Sequence, residues 1–546
     1  MTATHLIPGP DGTASAHDPG RSEHLDVVVV GAGISGIGAG YYLQRDHPER
    51  SYAILEARGA TGGTWDLFRY PGIRSDSDLH TFGYEFKPWR DEDSIAAAPK
   101  ILSYVRETAD ENGIDEHVRL HHKVVGASWS SEDACWTVDV LRTDADSGRG
   151  ERTQLTCDWI FSAGGYFRYD EGFTPQFPGR ERFSGTVVHP QHWPEDLDYA
   201  GKKVVVIGSG ATAITLVPSM TEAEHVTMLQ RTPSYVISLP AKDIVANTLR
   251  KILGDERAYP IIRRKNIVQQ QVVFRLCKKY PTAARRVIRA LNARKLPKGY
   301  PVDTHFNPPY DPWDQRLCVV PDGDLFRAIR HGSASIVTDS IAEFDETGIR
   351  LESGEHLDAD IIITATGLNV QPFGGVPLTV DGREIDLHQT IAYKGMMLSG
   401  VPNLAFAIGY TNSSWTLKIG MLCEHFCRLL TLMDERGADT VGPVADQDMP
   451  VAALRMQRCA GQDMPTRPFL DFAAGYIQRA VGQLPKQGDH APWLTSMSYW
   501  ADVKLLRNSP VEDDENLRVT ASADRAKTRT ETRGSVSDPA PADVAV

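Results

Sequence analysis

Apolar residues along this chain follow two patterns: short unbroken runs that end in glycine-rich turns, and longer stretches that repeat at helical spacing. Leu25-Asp-Val-Val-Val-Val30 is the first run, and its four consecutive valines predict a strand buried on both faces. It meets Gly31-Ala-Gly33-Ile-Ser35-Gly36. A helix is predicted from Ile34 to Arg45, then a second strand over Ser51-Tyr-Ala-Ile-Leu-Glu56. The same succession recurs at Lys202-Lys-Val-Val-Val-Ile207, Gly208-Ser209-Gly210-Ala211-Thr212-Ala213 and His225-Val-Thr-Met-Leu-Gln230. Strands alternating with helices predict an α/β fold with two doubly wound, Rossmann-like dinucleotide-binding units.

In such a turn one glycine permits the tight bend, one lets a pyrophosphate approach the backbone, and one lets the helix pack on the strand. The helix N-terminus adds amides and the positive end of a dipole. Gly31, Gly33, Ser35 and Gly36 are therefore candidate contacts to a dinucleotide. Glu56, 20 residues after Gly36, is placed to accept both ribose hydroxyls. In the second unit the candidates are Gly208, Ser209, Gly210, Ala211, Thr212 and Ala213, and the ribose position holds Arg231, then Thr232, with no acid. A guanidinium pairs with a 2′-phosphate that a carboxylate would repel. The first unit thus suits FAD or NAD, the second NADP.

Composition narrows the function classes. Of 546 residues, 41% are hydrophobic and 24% charged, the balance of a globular chain. Acidic residues (71) outnumber basic ones (58) for a net charge of −13, which argues against a dedicated nucleic-acid binder. No run approaches the ~18 apolar residues that a membrane-spanning helix needs. Met1 to His24 lacks the apolar core of a secretion signal. That segment and Asn508 to Val546 read as untethered tails. The seven cysteines are odd in number, scattered and free of any Cys-x-x-Cys. This predicts reduced thiols in a cytoplasmic protein, with no disulfide framework and no metal site.

Two dinucleotide units of opposite charge predict a flavoprotein reduced by a nicotinamide. Its electrons then pass to a disulfide, to a carrier or to oxygen. Cys423 and Cys427 have the wrong spacing for a redox pair, and scattered cysteines disfavour an iron–sulfur centre. Oxygen leads by elimination.

Two longer motifs sharpen this. Gly62-Gly-Thr64-Trp65-Asp66-Leu67-Phe-Arg69-Tyr70-Pro-Gly72-Ile-Arg74-Ser75-Asp76 and Phe183-Ser-Gly-Thr-Val-Val-His189-Pro-Gln-His-Trp193-Pro194 resemble the two fingerprints of Baeyer–Villiger monooxygenases. The likeness runs from about Leu25 to Arg507 and is strongest to the ethionamide-activating branch, through Trp313-Asp-Gln-Arg316-Leu-Cys and Tyr393-Lys-Gly-Met-Met-Leu-Ser-Gly400. The resemblance implies FAD and NADPH as cofactors, a ketone and O2 as substrates, and an ester or lactone as product, formed through a peroxyflavin. Sulfoxidation of thioethers or thioamides is an implied side activity. It also implies that Arg316 is the active-site arginine and that Asp76 pairs with it. Thr64, Trp65, Asp66, Leu67 and Val124 resemble flavin contacts, Arg74, Ser75 and Asp76 a stretch that also touches NADP, and His189 and Trp193 part of a hinge. The lysine that often precedes the arginine in this family is Gln315 here, which leaves the NADP preference to Arg231. The domains expected are FAD-binding at 25–164 and 366–507, NADP-binding at 165–240 and 301–365, and an insert at 241–300. The alternatives are an N- or S-oxygenating flavin monooxygenase and a flavin-binding sensor without turnover.

The insert stands apart. It carries 16 Lys or Arg against three acids, with apolar residues at helical spacing. Its charge reads either as a solvated face or as a contact with an anionic membrane surface, which would make a cytoplasmic enzyme peripheral to the membrane. No aromatic–basic surface for nucleic acid is evident.

Overall fold

The valine run becomes strand His24–Val30, with Val27, Val28 and Val29 wholly buried. So apolar a strand needs cover on both sides, and it lies inside a nine-stranded sheet, parallel to Tyr52–Leu55 and Gly150–Ser162. Val118–Arg119 and Leu404–Phe406 extend the parallel part. His122–Ser130 and Cys135–Thr143 form an antiparallel meander with the start of Gly150–Ser162. Helix Ile34–Asp46 covers one face beside Thr416–Arg436. The computed structural model describes residues 23–144, 148–444, 467–470, 473–513 and 515–521.

The second sheet has five strands, all parallel, in the order Ala334–Thr338, His225–Gln230, Lys203–Ile207, Ile361–Thr364 and Thr186–Val188. The chain leaves the first sheet through Phe167–Gly172 and returns through Leu368–Val370, and these two segments pair antiparallel. His189 braces the crossing. Its Nε2 donates to the Gly367 carbonyl (3.2 Å) and its Nδ1 accepts the Gln191 amide. A Cβ at Gly172 would meet the imidazole at 2.0 Å. Burial pushes the His189 pKa down, so the ring stays neutral in this role.

The two units share a core. Phe68 and Tyr70 of the first fingerprint pack with Val204 and Val206 of the second sheet and with Ile214 of the helix Ala211–Leu216 that covers it. Gly72, at φ +76°, lies where a Cβ would stand 1.9 Å from the Ser219 hydroxyl. The insert forms helices Ile244–Leu253, Asp255–Lys279 and Pro281–Lys295. It is held to the first unit by the buried Arg263, which donates to the carbonyls of His80, Thr81 and Gly83.

Both tails are shorter than composition predicts. Glu23 pairs with Arg119, and His24 opens the first strand. Beyond Asn508, Val511 and Leu517 join the core, Tyr393 donates to Asp513, and Leu517–Thr520 pairs with Thr440–Pro443. So short a strand inside a charged stretch has too few apolar residues to register as an element; its partner strand supplies the stability. Residues 1–22 and 522–546 lie outside the described residues, as does Cys459. The other six cysteines are free thiols.

One buried group makes stability depend on pH. His425 bonds the Leu506 carbonyl through Nδ1 (2.9 Å), with Lys394 Nζ 3.4 Å from its Nε2. Burial, then the charge of Lys394, pushes its pKa down to about 3. A folded pKa below the unfolded value of ~6.5 gives a contribution fully present above that pH and lost as pH falls toward the folded value. His425→Gln is expected to flatten the fall in Tm between roughly pH 6.5 and 4. A thermal-unfolding series that leaves this slope unchanged would refute the assignment.

Candidate active site

Helix Ile34–Asp46 begins at Gly33 with no side-chain cap and no acid in its first turn, so no side chain competes for its leading amides. Gly31 sits at φ +100°, and a Cβ on Gly36 would lie 1.9 Å from the Gly31 carbonyl oxygen. A Cβ on Gly33 would meet only the backbone of Gly63, its Cα at 3.6 Å and its nitrogen at 3.9 Å. Two glycines therefore face each other across a cradle bare of side chains. Glu56, 6% exposed, accepts the amides of Ala32 (2.8 Å) and Arg58 (2.9 Å), which fixes its carboxylate beside the turn. The turn and its acid fit the pyrophosphate and ribose of a dinucleotide.

Ser35 accepts a hydrogen bond from Trp415 Nε1 (2.9 Å), and Trp415 stacks on Tyr166 at 5.5 Å. No sequence pattern singled out Trp415, whose place depends on a contact across 380 residues. Thr64–Leu67 forms a helical turn. There Thr64 meets the Tyr169 hydroxyl, and Trp65 sits edge-on to Phe82. The buried Asp66 is engaged by Arg58, Arg69 and Arg106, so its carboxylate braces the turn. The Val124 side chain is buried in the core at an irregularity in strand His122–Ser130, which leaves only its backbone to meet a ligand.

At the second turn Gly208 has φ +140°, and a Cβ on Gly210 would meet nothing within 4 Å. Ala211 opens the short helix Ala211–Leu216, in which Ala213 is wholly buried. Ser209 donates to the Thr232 carbonyl and shares a hydrogen bond with Ser234. Tyr70 reaches Thr212; burial pushes its phenol up to about 12 against the effect of that hydrogen bond. Arg231 is exposed just past strand His225–Gln230. Arg74 donates Nη1 to Asp324 (2.8 Å), while its Nη2 is buried without a partner. A buried orphan guanidinium nitrogen calls for an acceptor, and an anionic ligand would supply one. Ser75 donates its hydroxyl to the Ser77 carbonyl.

Between the two units lies a cavity of about 490 Å³, walled in part by Asp76, Arg316, Trp313, Leu317 and Asn412. Arg316 grips Asp76 in a fork, Nε to Oδ2 at 2.7 Å and Nη2 to Oδ1 at 2.5 Å. Its third nitrogen, Nη1, bonds none of the described residues. Burial pushes the Asp76 carboxyl up, but the Arg316 charge and hydrogen bond, with a share from Arg74, outweigh it and hold the pKa below the usual carboxylate range. Asp76 in turn pushes the Arg316 pKa up despite burial. The pair stays ionised throughout the neutral range. Trp313, three residues before Arg316, holds φ +73°, a strained conformation of the kind that clusters at functional sites. Tyr166 and Tyr476 lie within reach of the Arg316 charge, and neither carried a signal in the sequence.

Residues 91–397 match a family model for flavin-binding monooxygenase-like proteins, and residues 29–91 one for an NAD(P)-binding Rossmann-like domain. The chain belongs to the flavin-binding monooxygenase-like family. Its likeness to relatives named as monooxygenases spans about nine-tenths of the chain. The FAD-containing monooxygenase EthA of Mycobacterium tuberculosis is 52% identical over 499 residues, covering 91% of this chain and 98% of that protein. The probable FAD-binding monooxygenase AlmA of Acinetobacter baylyi is 46% identical over 493 residues, covering 90% and 95%. Among solved structures, an oxidised steroid monooxygenase bound to NADP gives a TM-score of 0.70 at 22% identity, covering 91% of this chain and 100% of that one. An open cyclohexanone monooxygenase gives 0.65 at 21%, covering 78% and 90%. At that identity the likeness shows the shared fold. As a member of a flavin-binding monooxygenase-like family, this chain is a flavin-dependent monooxygenase. Oxygen is then the electron acceptor, and the sensor alternative falls away.

Proposed function

We propose that this flavin monooxygenase uses FAD and NADPH to insert one atom of O2 beside a ketone carbonyl, giving an ester or lactone. The observation that carries the reading is Arg316, held in a two-point grip by Asp76 in the wall of the cavity. Gly31, Gly33, Ser35, Gly36 and Glu56 would hold FAD, which would supply the redox chemistry with oxygen. The chain itself supplies a fixed positive charge where negative charge develops on the attacked carbonyl oxygen. A guanidinium does not give up its proton near neutral pH, so Arg316 acts electrostatically. Asp76 positions it. Among the described residues no helix is long and apolar enough to cross a membrane. We place the enzyme in the cytoplasm on its cysteines, six of which are free thiols.

The test is a panel of linear, cyclic and aryl ketones with the FAD-loaded enzyme, NADPH and O2, products being identified by mass. An ester or lactone one oxygen heavier than its ketone is expected. Oxidation of amines or thioethers with no ester from any ketone would overturn the reading.

Arg231 is assigned to the 2′-phosphate of NADPH. Arg231→Ala is expected to raise KM for NADPH roughly 10- to 100-fold, the loss of a hydrogen bond between charged groups, and to leave KM for NADH unchanged. Equal use of NADPH and NADH by the unmodified enzyme would remove that role.

A further inference from the structure

We infer that the helical insert docks on the surface of an anionic lipid bilayer, and that a ketone dissolved in that bilayer enters the catalytic cavity from it. The inference rests on the reading that the cavity walled by Arg316 and Asp76 is where the ketone reacts.

A helix on the surface of a globular protein turns its apolar stripe inward. Helix Asp255–Lys279 does bury Ala258, Tyr259, Ile262 and Ile267, yet it mixes polar residues into that inner face and carries a second apolar stripe outward. Arg263, Asn266 and Gln271 are buried, while Ile261, Val268, Val272 and Leu276 are 50%, 42%, 47% and 52% exposed. Spacings of seven, four and four put these four on one stripe. The inward polarity has a cause in the fold. Arg263 satisfies three carbonyls of the segment 80–83, and Gln270 joins Thr81 and Ser413. The outward apolar stripe has no such cause, and it is not alone. Ile244 and Ile252 of the preceding helix are 75% and 72% exposed, and Val287 and Leu291 of the following one are also exposed.

The charge around this face selects the occupant. The segment 241–300 is strongly basic in a chain whose net charge is −13. Exposed Lys251 and Arg264 form no ion pair with a described residue, and Arg264 lines a shallow groove with Ile261, Val268 and Val272. Apolar side chains beside free cations are what an anionic bilayer surface takes up, acyl chains meeting the first and headgroups the second. The same face of a second copy would bring like charges together.

The groove also adjoins the cavity. Lys265 and Gln269 line both, and the exposed Ile244, Val245 and Val273 line the cavity. A lipophilic ketone leaving the bilayer at this face would reach Arg316 without crossing water.

The test uses the full-length, FAD-loaded enzyme and vesicle flotation. One set of vesicles is phosphatidylcholine with roughly one-third phosphatidylglycerol, the other phosphatidylcholine alone. Co-flotation is expected with the anionic vesicles and should weaken as salt rises. The variant Lys251→Gln/Arg264→Gln should lower partitioning roughly fivefold for each basic side chain removed. Ile261→Ser/Val268→Ser/Val272→Ser should also lower it. Both variants should keep the parent kcat/KM on a short, water-soluble ketone and lose rate on a long-chain ketone presented in vesicles. Absence of flotation with anionic vesicles overturns the proposal. So does flotation that neither variant weakens, or a dimer by light scattering that the serine variant abolishes while vesicles go unbound. The two readings fail separately. An enzyme that floats but oxidises no ketone keeps the membrane contact and loses the ketone reaction; one that oxidises the soluble ketone without floating does the reverse.

Discussion

Arg316→Ala is expected to cut ester formation by about 10²–10³, the usual cost of removing one pre-placed donor from a developing oxyanion, while NADPH still reduces the flavin. The split follows from where the side chain stands. Arg316 lines the cavity and bonds Asp76, whereas the candidate dinucleotide contacts at Gly33 and Gly210 are backbone cradles that do not depend on it. Anaerobic flavin bleaching by NADPH, followed by product analysis in air, reads the two steps separately. Arg316→Lys keeps a charge but loses the planar fork that matches the two Asp76 oxygens, so it should restore only part of the rate. Asp76→Asn should act through the same geometry: the fork loses its anion, and the loss should appear in kcat more than in retention of FAD. If Arg316→Ala formed ester at the parent rate, the electrostatic role assigned to this residue would be wrong.

The second large effect is expected at Gly36. An alanine there would put its Cβ 1.9 Å from the Gly31 carbonyl oxygen, and both groups are backbone at the bend between the first strand and helix. Neither can swing aside as a side chain would. The helix must lift off the strand, and Gly36→Ala should yield protein that retains no flavin and is destabilised by several kcal/mol, as for other forced overpacking. Gly33→Ala is the informative contrast. Its Cβ would meet only the Gly63 backbone, no nearer than 3.6 Å, an ordinary contact, so the protein should fold with a Tm close to the parent. The new methyl would stand in the cradle and weaken FAD binding. Absorbance of bound flavin and thermal unfolding, measured on both variants, distinguish the two. Equal Tm loss in both would show that the glycines serve packing alone.

Both dinucleotide units were legible because their information is local. A buried strand, a bend that only glycine allows and a helix that must start there occupy about 30 residues, and the pattern Val27–Gly36 states all three. The contrast of Glu56 with Arg231 at equivalent positions is local too. Composition misled at the C-terminus, where Leu517–Thr520 is too short to stand alone and gains its place by pairing with Thr440–Pro443. The inner face of the insert was equally hidden. Arg263, Asn266 and Gln271 read as surface residues, yet they turn inward because Arg263 and Gln270 answer polar groups of a different unit.

What the chain determined by itself is therefore the two strand–turn–helix units, the opposite charges of Glu56 and Arg231 at matching places after them, and an insert basic enough to stand apart from the rest. Family resemblance pointed to the pairing of Asp76 with Arg316, but periodicity and turn patterns did not, and only the tertiary structure gives the contact and its geometry. Asp76 meets Arg316 across 240 residues and Ser35 meets Trp415 across 380. Phe68 and Tyr70 leave their own unit to complete the core of the other. Periodicity and turn preferences act over a few residues along the chain, whereas these contacts exist only once two separately wound sheets close on each other and bury what lies between them.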